Sequence, residues 1–507
     1  MHVESTSEGP STVAPGATWS LALLLGINLF NYIDRQVLSA VIPKLKRDTT
    51  LFDPNDEALN FKIGLLSTAF MVTYMLLSPV FARAGDYVRR WVVVGVGVCL
   101  WSVASGSSGV ATTFGLILLT RCFVGVGEAA YGPIAPAMLS DLFPARIRGK
   151  VMSYFYAAIP VGSALGFVLG GILSDHFGWR HAFWVTYIGL IPGLICFFMK
   201  DPPRVARAEG QATPRYFTVL RSLRKNRSFV LCCAGMTCTT FVLGGVAVWI
   251  PEYIFQREAT FSLTAESLAK LQSDDKFKSL TGEPLVPAAV IEKVRPLSDG
   301  RVLKYQEFDA ALEGKLTRVE YQNYSEYVRE TATDPKSTTS GEIAIMFGAI
   351  LVVCGLVATI SGGMFGDWLR ARGVRGAYFH ASGWSTLLAW PFFVGMLFCP
   401  FPLAWGLLVP AVFLLFFNTG PANTILANVT SSAVRATAFA INILIIHALG
   451  DAISPAVIGA IFDLSDLHTA FLLVSVLILV GGGLWVLGAH SLDEDTRVAL
   501  EADTAKV

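Results

Sequence analysis

Apolar residues in this chain run in long blocks, and polar residues gather in clusters between them. A helix needs about 20 mostly apolar residues to cross a bilayer core. On that measure the pattern predicts twelve spanning helices, at roughly 18–44, 61–82, 91–110, 113–140, 146–173, 180–200, 228–255, 342–365, 376–398, 402–429, 437–462 and 468–490. The separating clusters are short except at 201–227 and 258–340. The chain therefore reads as an all-α polytopic membrane protein.

The blocks repeat. Gly132-Pro133 recurs as Gly420-Pro421, Gly171 as Gly459, Asp175 as Asp463 and Ala182-Phe183 as Ala470-Phe471, all at one offset of 288 residues. Separately, Gly85-Asp86-Tyr87-Val88-Arg89 recurs as Gly366-Asp367-Trp368-Leu369-Arg370. Two pseudo-symmetric six-helix bundles follow, at 18–200 and 228–490, with a tail at 1–17, a linker at 201–227, an insertion at 258–340 and a second tail at 491–507. Parallel six-helix repeats are a transporter arrangement.

Lys and Arg in short loops set orientation. They fill the turns after the second, fourth and eighth spans: Arg83, Arg89 and Arg90; Arg146, Arg148 and Lys150; Arg370, Arg372 and Arg375. The linker adds seven more between Arg204 and Arg227, whereas the turns near 106–113 and 399–402 hold none. Both termini and the linker are thus expected in the cytoplasm, in the plasma (inner) membrane of the cell. The first 17 residues lack the basic start of a signal peptide, so the first span is expected to be uncleaved. The insertion, with Asp274, Asp275, Lys276 and Lys278, reads either as an external cap or as a tolerated loop insertion.

Composition narrows the class. Of 507 residues 53% are hydrophobic and 15% charged, against about 25% charged in a soluble domain. A net charge of +1 gives no basic stripe for nucleic acid. The eight cysteines lie in or at the edge of apolar blocks with no metal-ligand spacing, so no metal or cofactor is expected. No Gly-x-Ser-x-Gly elbow appears, and an enzyme is not expected.

Charges inside the blocks carry the candidate chemistry. The first span contains Asp34-Arg35, and the fourth contains Arg121 and Glu128 seven residues apart, two turns along one face. Centring such a charge in a bilayer costs about 2.5–3.5 kcal/mol on insertion scales, so charges there pair or mark pathways. Burial favours the neutral acids and the arginines favour the carboxylates, a balance suited to proton coupling. The same four also suit a static network joining two helices. In the eleventh span His447 and Asp451 share a face at i,i+4, as a relay or as a structural bond. Asn418 and Asn423 give the tenth span a polar lining for a head group. Gly162, Gly166 and Gly170 form a small-residue stripe for close helix approach.

Gly85-Asp86-x-x-Arg89-Arg90 resembles the loop signature of the major facilitator superfamily, and Gly366-Asp367-x-x-Arg370 resembles its second copy. Ala82 and Val88 depart from it where glycine is frequent. The resemblance implies the major facilitator fold, alternating access, and a cytoplasmic gate clamped by Asp86, Arg89, Arg90, Asp367 and Arg370. Asn31-Tyr32-Ile33-Asp34-Arg35 resembles both Spinster-like lipid transporters and organic-anion symporters. The stretches Gly127-Glu128-Ala129-x-Tyr131, Asp141-Leu142-Phe143 and Ala158-Ile159-Pro160-x-Gly162-Ser163 are similar to Spinster. That resemblance covers most of the first half and implies a bacterial homologue, a monomer that moves an amphipathic anionic lipid of the lysophospholipid or sphingosine-phosphate type and couples it to protons. By it Asp34 and Glu128 bind the proton, and Arg35, Arg121 and Tyr131 meet the substrate. An organic-anion or drug transporter of the same superfamily is the alternative.

Overall fold

The computed structural model describes residues 13–46, 48, 50–52, 56–201, 216–273, 283–431 and 434–504. Arg204, Arg207 and Arg215 of the linker and Asp274, Asp275, Lys276 and Lys278 of the insertion lie outside them.

The apolar blocks form α1 (Ala17–Leu45), α2 (Leu59–Tyr87), α3 (Arg90–Ser108), α4 (Phe114–Tyr131, resuming as Ile134–Leu142), α5 (Ala145–Phe177) and α6 (Trp179–Trp184, a 3₁₀ turn Val185–Gly189, then Leu190–Cys196). The second set is α7 (Arg227–Glu258), α8 (Ser340–Ala371), α9 (Ala377–Phe398), α10 (Leu403–Phe417 with Thr419–Asn428), α11 (Arg435–Ile446, a wide turn His447–Asp451, then Ser454–Leu464) and α12 (Leu467–Gly488). Among the described residues ten of these are long and apolar enough to cross a membrane. The exceptions are α1, diluted by Asn28, Asn31, Asp34 and Arg35, and the interrupted α6.

Side chains fix several helix starts. Thr113 caps α4 by accepting from the Leu116 amide at 3.2 Å, Asn226 caps α7 from Phe229 at 2.8 Å, and Asp466 caps α12 from Thr469 at 2.7 Å. Gly178, at φ 89°, makes the reversal between α5 and α6 that a residue with a Cβ adopts only with strain.

Within the first bundle α1 packs on α5, α2 and α3 on α4, and α3 on α6; in the second α7 and α9 pack on α12, and α8 and α9 on α10. The glycine stripe of α5 faces α1: a Cβ on Gly162 would stand 2.7 Å from the Leu29 carbonyl oxygen, and one on Gly166 2.4 Å from that of Ile33. The bundles meet along α5–α8 and α2–α11, with a further contact between α1 and α7. Phe167 meets Phe347 edge-on at 5.2 Å across the first of these seams.

The chain between α7 and α8 folds on itself. Strand β1 (Thr260–Phe261) pairs antiparallel with β2 (Leu303–Lys304), and helices Ala265–Ser273, Ala288–Val294, Tyr305–Glu313 and Arg318–Ala332 surround them. Phe261 stacks on Phe308 at 5.0 Å in a core with Leu271, Val294, Leu312 and Val328. The insertion is thus a small cap with its own core. The side of the molecule that carries it is the cap face, and the side that carries both chain ends is the terminal face.

Candidate substrate and coupling site

Three close helix crossings assemble the four intramembrane charges. Gly97 and Gly127 let α3 and α4 touch backbone to backbone, since a Cβ on either would lie 2.6 Å from the other's carbonyl oxygen. Gly125 likewise lets α2 lie against α4, 2.3 Å from the Phe70 carbonyl oxygen. The α5 stripe draws α1 in from the other side.

Asp34, Arg35, Arg121 and Glu128 come together there. Arg35 donates to one oxygen of Glu128 twice, from Nε at 2.8 Å and Nη2 at 2.7 Å. Ser105 of α3 donates to Asp34 Oδ1. Glu128, Arg121 and Asp34 are 1%, 1% and 2% exposed, while the Arg35 side chain keeps 17% of its surface open. A ring of aromatic side chains completes the cluster: the Arg35 guanidinium carbon lies 4.9 Å from the Tyr32 ring, 5.2 Å from Phe70 and 5.2 Å from Tyr74. Arg121 faces the same Phe70 ring at 5.5 Å, and its Nε and Nη1 have no hydrogen-bond acceptor. The Phe70 ring therefore serves two guanidinium groups, which suits desolvated cations.

The other residues singled out in the sequence lie elsewhere. Tyr131 turns into the core of the first bundle, its hydroxyl donating to the Leu24 carbonyl at 2.6 Å and its ring packed between Trp101 and Phe155. Asn418 is buried and donates to the Leu415 carbonyl at 2.7 Å, and Asn423 is exposed and donates to Thr419 of its own helix at 2.9 Å. His447 Nδ1 lies 2.9 Å from both Asp451 oxygens, inside the irregular turn of α11.

On the terminal face Arg90 pairs with Asp141, and Asp201 caps α3 by accepting from the Arg90 and Trp91 amides at 2.9 and 3.1 Å. Arg89 donates to the Met199 carbonyl at 2.9 Å. In the second bundle Tyr378 donates to Asp367 at 2.8 Å, with Arg370 5.9 Å from the Tyr378 ring. Each of these bonds stays inside one bundle. The side chain of Asp86 lies outside the described parts of the structure.

Sequence reasoning missed Ser105, Phe70, Tyr74 and Asp201. Serine and phenylalanine are ordinary in apolar spans, so only the crossings of α2 and α3 over α4 mark the first three. Asp201 directly follows a basic residue at the end of the sixth block, a position from which it can cap a neighbouring helix.

The model of the Major Facilitator Superfamily matches residues 24–270. Protein spinster of Drosophila melanogaster is 38% identical over 255 residues, 48% of this chain and 40% of the fly protein. Protein spinster homolog 1 of Xenopus tropicalis is 28% identical over 94% of this chain and 81% of its own length. The higher identity is thus confined to about half of the chain. Among solved structures, an inward-facing, unoccupied bacterial homologue of the human lysosomal transporter Spinster superposes with a TM-score of 0.68 at 17% identity, covering 95% of this chain and 98% of that one. At that identity the likeness shows the fold. The two bundles and their repeat form the major facilitator fold, and the family model and relatives that match are those of transporters rather than enzymes. The relatives it resembles over most of its length are Spinster proteins, at 28–29% identity.

Proposed function

We propose that the protein is a proton-coupled carrier of an amphipathic lipid with an anionic head group, of the lysophospholipid or sphingosine-phosphate type, working by alternating access. The observation that carries the reading is the doubly bonded Arg35–Glu128 pair, in which the arginine alone of the four charges keeps an open surface. Deprotonated Glu128 holds the guanidinium. Protonation removes the charge that holds it, and Arg35 turns to the head group. Buried Asp34, kept in place by Ser105, shares the proton, and Arg121 completes the cluster against the shared Phe70 ring.

Basic turns on the terminal face support an orientation with both chain ends in the cytoplasm, the cap outside and the cell membrane as the location. Asp86, Arg89, Arg90, Asp367 and Arg370 form the cytoplasmic gate in this reading, and His447 with Asp451 a secondary relay. The carrier acts as a monomer.

Purified protein in vesicles, given a fluorescent lysolipid and an imposed pH gradient, tests the reading. Gradient-dependent lysolipid movement that Glu128→Gln reduces at least about tenfold is expected, the loss of one charge-assisted bond being worth that much. A labelled sugar acid moving in its place would favour the organic-anion alternative. No movement of either under a gradient would overturn proton coupling.

A further inference from the structure

The repeated Gly171/Gly459 and Asp175/Asp463 take no part in the charge cluster, yet they occupy equivalent places where the bundles touch. At the cap-face end of α11, Asp463 accepts from the Asn60 amide at 2.8 Å, the Asn60 side chain at 2.8 Å and the Phe61 amide at 2.7 Å. Those amides belong to the first turn of α2, in the other bundle. At the cap-face end of α5, Asp175 accepts from the Gly341 amide at 2.7 Å and the Ser340 hydroxyl at 2.8 Å, in the first turn of α8 across the other seam. One turn before each carboxylate a glycine meets the same helix start. A Cβ on Gly459 would stand 2.2 Å from the Asn60 carbonyl oxygen, and one on Gly171 2.7 Å from the Gly341 Cα.

Lys44 in the last turn of α1 and Lys46, which caps that helix, extend the pair. Lys44 bridges to Asp175 at 3.1 Å. Lys46 reaches Asn60 at 3.2 Å and fully buried Glu252 of α7 at 3.1 Å, and lies 4.4 Å from the Phe462 ring. The first turn of a helix offers unpaired amides and a positive dipole end, so each aspartate binds its target only while the glycine surface stays seated.

We propose that Asp175 and Asp463 are a twofold-related pair of positioning residues that clasp the cap face shut, each carried by one bundle and seated in the other. Opening that face pulls both carboxylates off the helix starts together, so the clasps set the balance between the two facing states. The proposal rests on the alternating-access part of the reading above and is independent of substrate and proton.

Spin labels at exposed Val110 and Phe398 report separation of the bundles on the cap face, and labels at exposed Val88 and Val374 report it on the terminal face. Measured without substrate at one pH, Asp175→Ala and Asp463→Ala are each expected to raise the ratio of cap-open to cap-closed molecules about tenfold, and the double variant more. The cap-face distance lengthens as the terminal-face distance shortens. Asp→Asn at each position keeps one acceptor oxygen and the side-chain size, and gives an intermediate shift. Unchanged distances in the Asn and Ala variants, or lengthening on both faces, would overturn the clasp. Neither result would touch the lipid or proton assignment, which the vesicle assay reads separately.

Discussion

Arg121 is held by very little that sequence inspection would find. Two of its nitrogens lack an acceptor, and a face of Phe70 lies 5.5 Å away. A desolvated cation–π contact is worth about 2 kcal/mol. A double-mutant cycle pairing Phe70→Leu with Arg121→Met should therefore give a coupling of about 1–2 kcal/mol in thermal unfolding, with Phe70→Tyr near the parent. Additive effects would show that the ring is only packing. Asp34, Arg35, Arg121 and Glu128 were legible in the sequence because a charge in an apolar block is conspicuous and has few ways to persist. Tyr131 was not, since its hydroxyl is satisfied by a carbonyl of α1 rather than left for a ligand. His447 and Asp451 meet as the i,i+4 spacing predicts, although the turn between them is wider than an α-helix.

At the scale of elements, hydrophobic blocks located the helices and glycines decide how near they come. Gly166 of α5 lies against α1, and a Cβ there would stand 2.4 Å from the Ile33 carbonyl oxygen; around Gly355 of α8 nothing lies within 4 Å. Overpacking costs about 1–3 kcal/mol. Gly166→Ala should lower the thermal unfolding midpoint by several degrees, and Gly355→Ala should leave it or raise it slightly. Equal effects at the two positions would mean that the α1–α5 contact tolerates separation. The block pattern missed the 3₁₀ turn in α6 and the full length of α8, which runs from Ser340 to Ala371. Apolar periodicity reports burial in the bilayer, whereas these ends are set by caps: the Thr339 side chain accepts from the Glu342 amide at 3.1 Å and the Glu342 carboxylate from the Thr339 amide at 2.9 Å. A cap was one of two readings of the insertion, and its fold was not legible, because its core is drawn from residues more than 60 positions apart, Phe261 and Val328 among them.

Across the whole molecule the sequence repeat foretold two bundles, and the structure adds how they are joined. The bonds described for the bundle seam lie at the cap face, through Asp175, Asp463 and the Lys46–Glu252 pair. The arginines of the terminal face bond within their own bundles. Coupling transport to protons requires the charge cluster to bias this two-state arrangement. Turning a population from 1:99 to 99:1 takes about 5.5 kcal/mol, so two acids sharing the task suit it better than one. The sign is fixed by linkage: if the deprotonated acids favour one facing state, acidification must move molecules toward the other. The most direct measurement is therefore the Val88–Val374 distance distribution across pH in the parent, Glu128→Gln, Asp34→Asn and the double variant. The parent should switch with pH, each single variant should lose part of the response, and the folded double variant should lose all of it. A double variant that kept the parent's pH response would make the cluster a static brace and contradict proton coupling through Asp34 and Glu128.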